Sequence, residues 1–94
     1  MRIEWLNQAL RDLEQEADWL AAKNPDAADD LLNTLDEQVS LLVQQPGIGR
    51  PGRVPGTREL VIRRFPYLIP YRVRGETLEI LRVFHTSRKP PEKW

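Results

Sequence analysis

One imidazole and a crowd of guanidinium groups are the side chains in this sequence best suited to acting on a phosphate. His85 is the single histidine, with Arg82 three residues before it and Arg88 three after. Nine arginines lie beyond residue 49, against two lysines, Lys89 and Lys93. A guanidinium is a planar fork that grips a phosphate through two parallel hydrogen bonds, which a lysine ammonium cannot do. Histidine can give or take a proton near neutral pH. For any one arginine, solubility is the better explanation; the cluster as a group is more persuasive.

Other chemistries are poorly supplied. With one histidine and no cysteine, a zinc site of ordinary make-up and a disulfide framework are not expected. There is no Gly-rich loop followed by Lys-Ser/Thr, so no P-loop, and no nucleophile elbow. The acids of the first half lack the spacing of a calcium loop. No metal and no cofactor is expected. If the chain is an enzyme, elimination leaves metal-free cleavage of RNA, in which a 2′-hydroxyl attacks the adjacent phosphate. That reaction needs a base, an acid and positive charge on the phosphate. Tyr67, Tyr71 and Phe65 could stack on bases, but aromatics at strand positions more often pack.

The elements that must position these groups follow from charge and periodicity. Residues 1–45 hold three basic side chains against ten acidic ones, and residues 46–94 hold eleven against four, so the zero net charge conceals two opposed halves. Residues 2–5 alternate as a short strand does. Asn7 is expected to cap a helix over about 8–22, with Leu6, Leu10, Leu13, Ala17 and Leu20 as its apolar stripe. Asn24-Pro25 restarts the chain as N-cap and first helical residue. The second helix runs to about residue 45, where Pro46-Gly47 stops it. Residues 46–56 hold four glycines and three prolines and read as a surface loop carrying Arg50 and Arg53. Three strands are then expected, over 58–63, 67–74 and 77–85. Arg63-Arg64-Phe65-Pro66 makes the first turn and Gly75-Glu76 the second. Pro70 marks an edge, a bulge or an unpaired position. By alternation Glu79, Leu81, Val83 and His85 share one face of the last strand, and Leu78, Ile80, Arg82 and Phe84 the other.

The expected fold is α+β: a β-α-α-β-β-β two-layer sandwich, with an N-terminal helical hairpin packed on an antiparallel sheet. Its other face would be open and electropositive. Ninety-four residues are expected to form one domain. No leader or membrane-length apolar run is read, and a cytoplasmic location is expected.

The segments IEWLNQALRDL, NPDAAD, GRPGRVPGTRELVI, PYLIPYRV and LEILRVFHTSRKPP, in this order along nearly the whole chain, resemble the RelE/ParE superfamily of bacterial toxin–antitoxin modules. The resemblance implies a cognate antitoxin partner whose extended C-terminal segment wraps the toxin. It also implies one of two targets. RelE-like toxins cut mRNA on the ribosome; ParE-like toxins bind DNA gyrase. ParE-like sequences typically continue past Leu-His with a Gln-Arg-Met-Asp type ending. This chain continues Thr86-Ser87-Arg88-Lys89, closer to the RelE-like group. The expectation is therefore a ribosome-dependent endoribonuclease. His85 would move protons and Arg58, Arg82 and Arg88 would hold the reacting phosphate. Arg50, Arg53, Arg63, Arg64 and Lys89 would contact RNA. Tyr67 stands where such nucleases commonly carry an arginine. The alternatives are a gyrase inhibitor without nuclease activity and a degenerate member that only partners an antitoxin.

Overall fold

The computed structural model describes residues 1–87. Strand β1 (Arg2–Trp5) is followed by helices α1 (Asn7–Lys23) and α2 (Pro25–Gln44). Then come strands β2 (Arg50–Pro51), β3 (Arg58–Ile62), β4 (Tyr67–Arg74), β5 (Thr77–Ile80) and β6 (Phe84–His85). The sheet order is β1-β5-β4-β3-β2, with β6 beside β4.

Asn24 alone joins the helices. Its side chain accepts from the N–H groups of Asp26 and Ala27, and Pro25 follows at the first helical position, so the restart is capped as expected. The start of α1 differs. Asn7 is already helical, and Leu6, the residue before it, makes no side-chain cap. The cause is continuity with the sheet: the Leu6 N–H still bonds the Ile80 carbonyl, while its own carbonyl accepts from Leu10 N–H. Strand runs into helix with no residue to spare for a cap.

The inward stripe of α1 is also rotated from the expected one. Ala9 and Glu16 are the buried residues of the helix, and Leu13 and Leu20 pack partly against the core. Leu10 faces solvent. A glutamate therefore occupies a position that periodicity alone gives to an apolar side chain. α2 contributes Leu31, Leu35, Val39 and Leu42 to the core, opposite Leu60, Ile69, Leu78 and Ile80 of the sheet. Each such buried aliphatic contributes about 1.5–3 kcal/mol relative to exposure.

The sheet is mixed rather than purely antiparallel. β1 runs parallel to β5, with Arg2 opposite Thr77 and Trp5 opposite Ile80. A parallel pair needs a long crossover, and the helical hairpin lies within that crossover. The remaining pairs are antiparallel. Gly75 turns the chain between β4 and β5 at φ +59°, a conformation that glycine adopts without strain.

The expected third strand is broken by a bulge. Ile80 lies opposite Tyr71, yet Phe84 lies opposite Leu68. Residues 81–83 therefore face only residues 69–70, one extra residue on that side. The extra residue resets the alternation: Val83 joins Leu78 and Ile80 in the core, where strict alternation would have put Arg82. Pro70 stands across from this bulge. Its carbonyl accepts from Leu81 N–H at 2.9 Å. A strand residue's N–H and C=O point the same way, so the donor that proline lacks falls where the ladder is already interrupted.

Candidate functional site

The groups singled out from the sequence lie at separate places. His85 pairs with Tyr67 at the start of β4. Arg58 pairs with Tyr71 from the other flank of that strand. Four residues along a strand is about 13 Å and two strand spacings add about 10 Å across, so their backbones are roughly 16 Å apart.

At the His85 end, the Ser87 N–H donates to His85 Nδ1 at 3.2 Å, and Ser87 Oγ is 2.7 Å from the same nitrogen. A backbone N–H can only donate, so Nδ1 holds the lone pair and the ring hydrogen sits on Nε2. The His85 ring meets Tyr67 edge-on, centroids 5.3 Å apart. The Tyr67 hydroxyl donates to Glu16 at 2.9 Å. Tyr67 is thus a core residue tied to α1 rather than a base-stacking platform. A pocket of about 460 Å³ lies here, lined by Gln15, Glu16, Trp19, His85 and Ser87.

Arg82 is committed elsewhere. Its Nε donates to Asp12 Oδ2 at 2.7 Å and its terminal nitrogen to Oδ1 at 3.2 Å. Asp12 Oδ2 also accepts from Val83 N–H at 3.0 Å. One carboxylate of α1 thereby holds both the guanidinium and the backbone of the bulge. The Arg82 guanidinium also lies 4.8 Å from the centre of the Phe84 ring.

At the opposite corner, Arg58 donates to the carbonyls of Gly49 and Gly47, at 2.8 Å and 3.4 Å. It fastens the loop before β3. Tyr71 fastens the same loop from below: its buried hydroxyl donates to the Pro46 carbonyl at 2.6 Å and accepts from Gly49 N–H at 2.9 Å. Burial pushes the Tyr71 phenol above the ordinary 10.0, with the Gly49 N–H and the Arg58 charge partly opposing it. The folded state therefore holds this proton more tightly than the unfolded chain. Its contribution to stability is complete below the ordinary phenol value and is lost as pH rises from there through the raised value. Denaturation midpoints measured from neutral pH upward should fall beyond pH 10.0, and Tyr71→Phe should flatten that fall.

Beside this loop Glu59, 4% exposed at its side chain, holds Arg50 at 3.2 Å and Arg53 at 3.6 Å. The expected electropositive sheet face is in fact cross-paired. Arg72 binds Glu79 at 2.6 Å, and Arg74 reaches the same carboxylate at 4.0 Å. Arg64 pairs with Asp30 of α2 at 3.2 Å, and its neighbour Arg63 lies exposed in the turn. Arg88, Lys89 and Trp94 lie outside the described residues. The sequence reading missed Glu16, Asp12 and Glu59. The available signal was a glutamate in step with Ala9, Leu13 and Leu20, together with tyrosine hydroxyls that need partners once buried.

These features define a small α+β protein in which His85, Arg58 and Arg82 do not converge. Residues 3–90 match the family model described as ParE toxin of type II toxin-antitoxin system, parDE. The chain is 40% identical over 91 residues to the Sinorhizobium fredii protein Y4kP, spanning 97% of this chain and 94% of that one. A solved structure titled as the chromosomal ParDE TA system from P. aeruginosa superposes with a TM-score of 0.81 at 35% identity, covering 90% of this chain and 95% of the other. The chain belongs to the ParE toxin family of type II toxin–antitoxin systems. Membership implies a cognate antitoxin as partner. It overturns the expected endoribonuclease: the matching family and the solved relative are ParE, not RelE. The basic Thr86–Lys89 ending, on which the RelE-like expectation rests, is a cue of composition that the match over residues 3–90 outweighs. Ribosome and mRNA are withdrawn with it as partners. Among the described residues, no helix is long and apolar enough to cross a membrane.

Proposed function

We infer that this chain is a toxin that inhibits DNA gyrase without cutting RNA. The match of residues 3–90 to the ParE family carries this reading. The geometry supports it from another side. A ribonuclease needs its proton carrier and its phosphate-binding cations around one scissile bond. Here Arg58 is spent on loop carbonyls, Arg82 is held by Asp12, and His85 and Arg58 lie on opposite flanks of β4.

The test is a supercoiling reaction with purified gyrase and relaxed plasmid, run beside a translation reaction whose mRNA 5′ ends are mapped. Added toxin should block supercoiling and leave the message whole. Unimpaired supercoiling at molar excess of toxin would sink the reading, and new cuts within the reading frame would restore the nuclease.

A further inference from the structure

The Arg50–Arg53–Glu59 corner is built more tightly than solubility requires. Both oxygens of the buried Glu59 carboxylate are occupied: Oε1 by Arg50 Nε at 3.2 Å, Oε2 by the Arg53 N–H at 3.0 Å. The guanidiniums themselves remain open, their side chains 58% and 40% exposed. Two positive groups thus share one negative one. The backbone beneath is fixed, with Gly52 N–H on the Thr57 carbonyl at 2.9 Å and the Thr57 hydroxyl on the Val54 carbonyl at 2.6 Å. An open notch of about 530 Å³ lies here, lined by Arg50, Pro51, Gly52, Arg53 and Glu59.

We propose that this notch binds a phosphodiester group of duplex DNA. Glu59 acts as an orienting carboxylate. It hydrogen-bonds the Arg50 guanidinium and the Arg53 backbone, lies 3.6 Å from the Arg53 guanidinium, and leaves both side chains open to solvent. An anion that meets them loses little further side-chain freedom, because the ordering has been done within the fold. A tetrahedral phosphate offers oxygens in several directions and can reach both forks at once. The lining has no aromatic or large aliphatic side chain, the usual anchor of a protein partner. It also has nothing that reads a base edge, so the contact positions DNA without selecting sequence. The inference rests on the gyrase reading for the place where toxin and DNA meet.

The experiment uses the whole toxin and a labelled DNA duplex, without gyrase, by fluorescence anisotropy across a salt series. Wild-type affinity should fall linearly on logarithmic axes, and Arg50→Ala with Arg53→Ala should bind more weakly with a salt slope shallower by about 1. The paired Arg→Lys variant keeps the charge and loses the forks, and should also bind more weakly. Removing both guanidiniums strands Glu59. If that variant does not fold, Arg50→Ala alone, which leaves Glu59 its contacts to Arg53, carries the comparison. No binding by the wild type, or equal affinity and slope in the alanine variants, overturns the proposal; so does full affinity in the lysine pair. Absence of DNA binding by the wild type with supercoiling still blocked would remove this site and leave the gyrase reading standing. Intact DNA binding with supercoiling unaffected would do the reverse.

Discussion

Asp12→Ala should destabilise the protein by about 2–4 kcal/mol, because it removes an ionised acceptor and strands two partly buried donors. Asp12 sits 11% exposed at its side chain against an Arg82 that is 21% exposed. It receives the guanidinium through two bonds and the Val83 N–H through a third. Without it the bulge backbone has an N–H facing α1 with no acceptor, and Arg82 has a charge facing a helix with no counterion. Asp12→Asn should cost less, since an amide oxygen can still accept from Val83 while the charge pairing is gone. Urea denaturation of the three proteins measures both differences. A loss in the alanine variant below about 0.5 kcal/mol, the level of an ordinary surface change, would mean that the bulge is held by other contacts.

Gly49→Ala should cost about 2–3 kcal/mol, through a clash and the loss of the hydrogen bonds it displaces. A Cβ at this position would stand 2.6 Å from Tyr71 Cε1 and Oη and 3.0 Å from the Glu59 carbonyl oxygen. Tyr71 cannot yield, since it is fully buried within the core. The loop must lift instead, taking the Gly49 N–H off the phenol and the Gly49 carbonyl off Arg58. Denaturation midpoints give the cost. Absorbance titration of the phenolate tests the mechanism: a lifted loop changes both the phenol's burial and its contacts to Gly49 and Arg58, so the titration should leave its wild-type position. A variant of wild-type stability would show that the loop accommodates the methyl group without leaving Tyr71.

Much of the architecture is written locally. Asn24-Pro25 caps and starts α2 using atoms three residues apart at most, and Gly75 turns β4 into β5 within its own hairpin. Such features need no knowledge of the rest of the chain. The candidate site was legible only in its residue types. LEILRVF alternates well enough for an unbroken strand, and the extra residue shows only when its register against β4 is known. The α1 stripe was misjudged because Leu10 outranks Glu16 on hydrophobicity. Glu16 is buried all the same, since Tyr67, 51 positions away, supplies a hydroxyl. Several arginines are bound by Asp12, Glu59 and Glu79, partners the linear sequence does not pair. The choice between RelE-like and ParE-like failed for a related reason: a basic ending reports charge, not target.

The parallel β1 also imposes an order on how the protein comes into being. Arg2–Trp5 pairs in the sheet with Thr77–Ile80, and Asp12 of α1 pairs with Arg82. Contacts of such long sequence separation form late, after their loop-closure cost has been met by other structure. On the ribosome the two helices emerge well before the strands that cover their apolar faces. Until the last strands appear, the nascent chain has neither a finished sheet nor a pinned bulge.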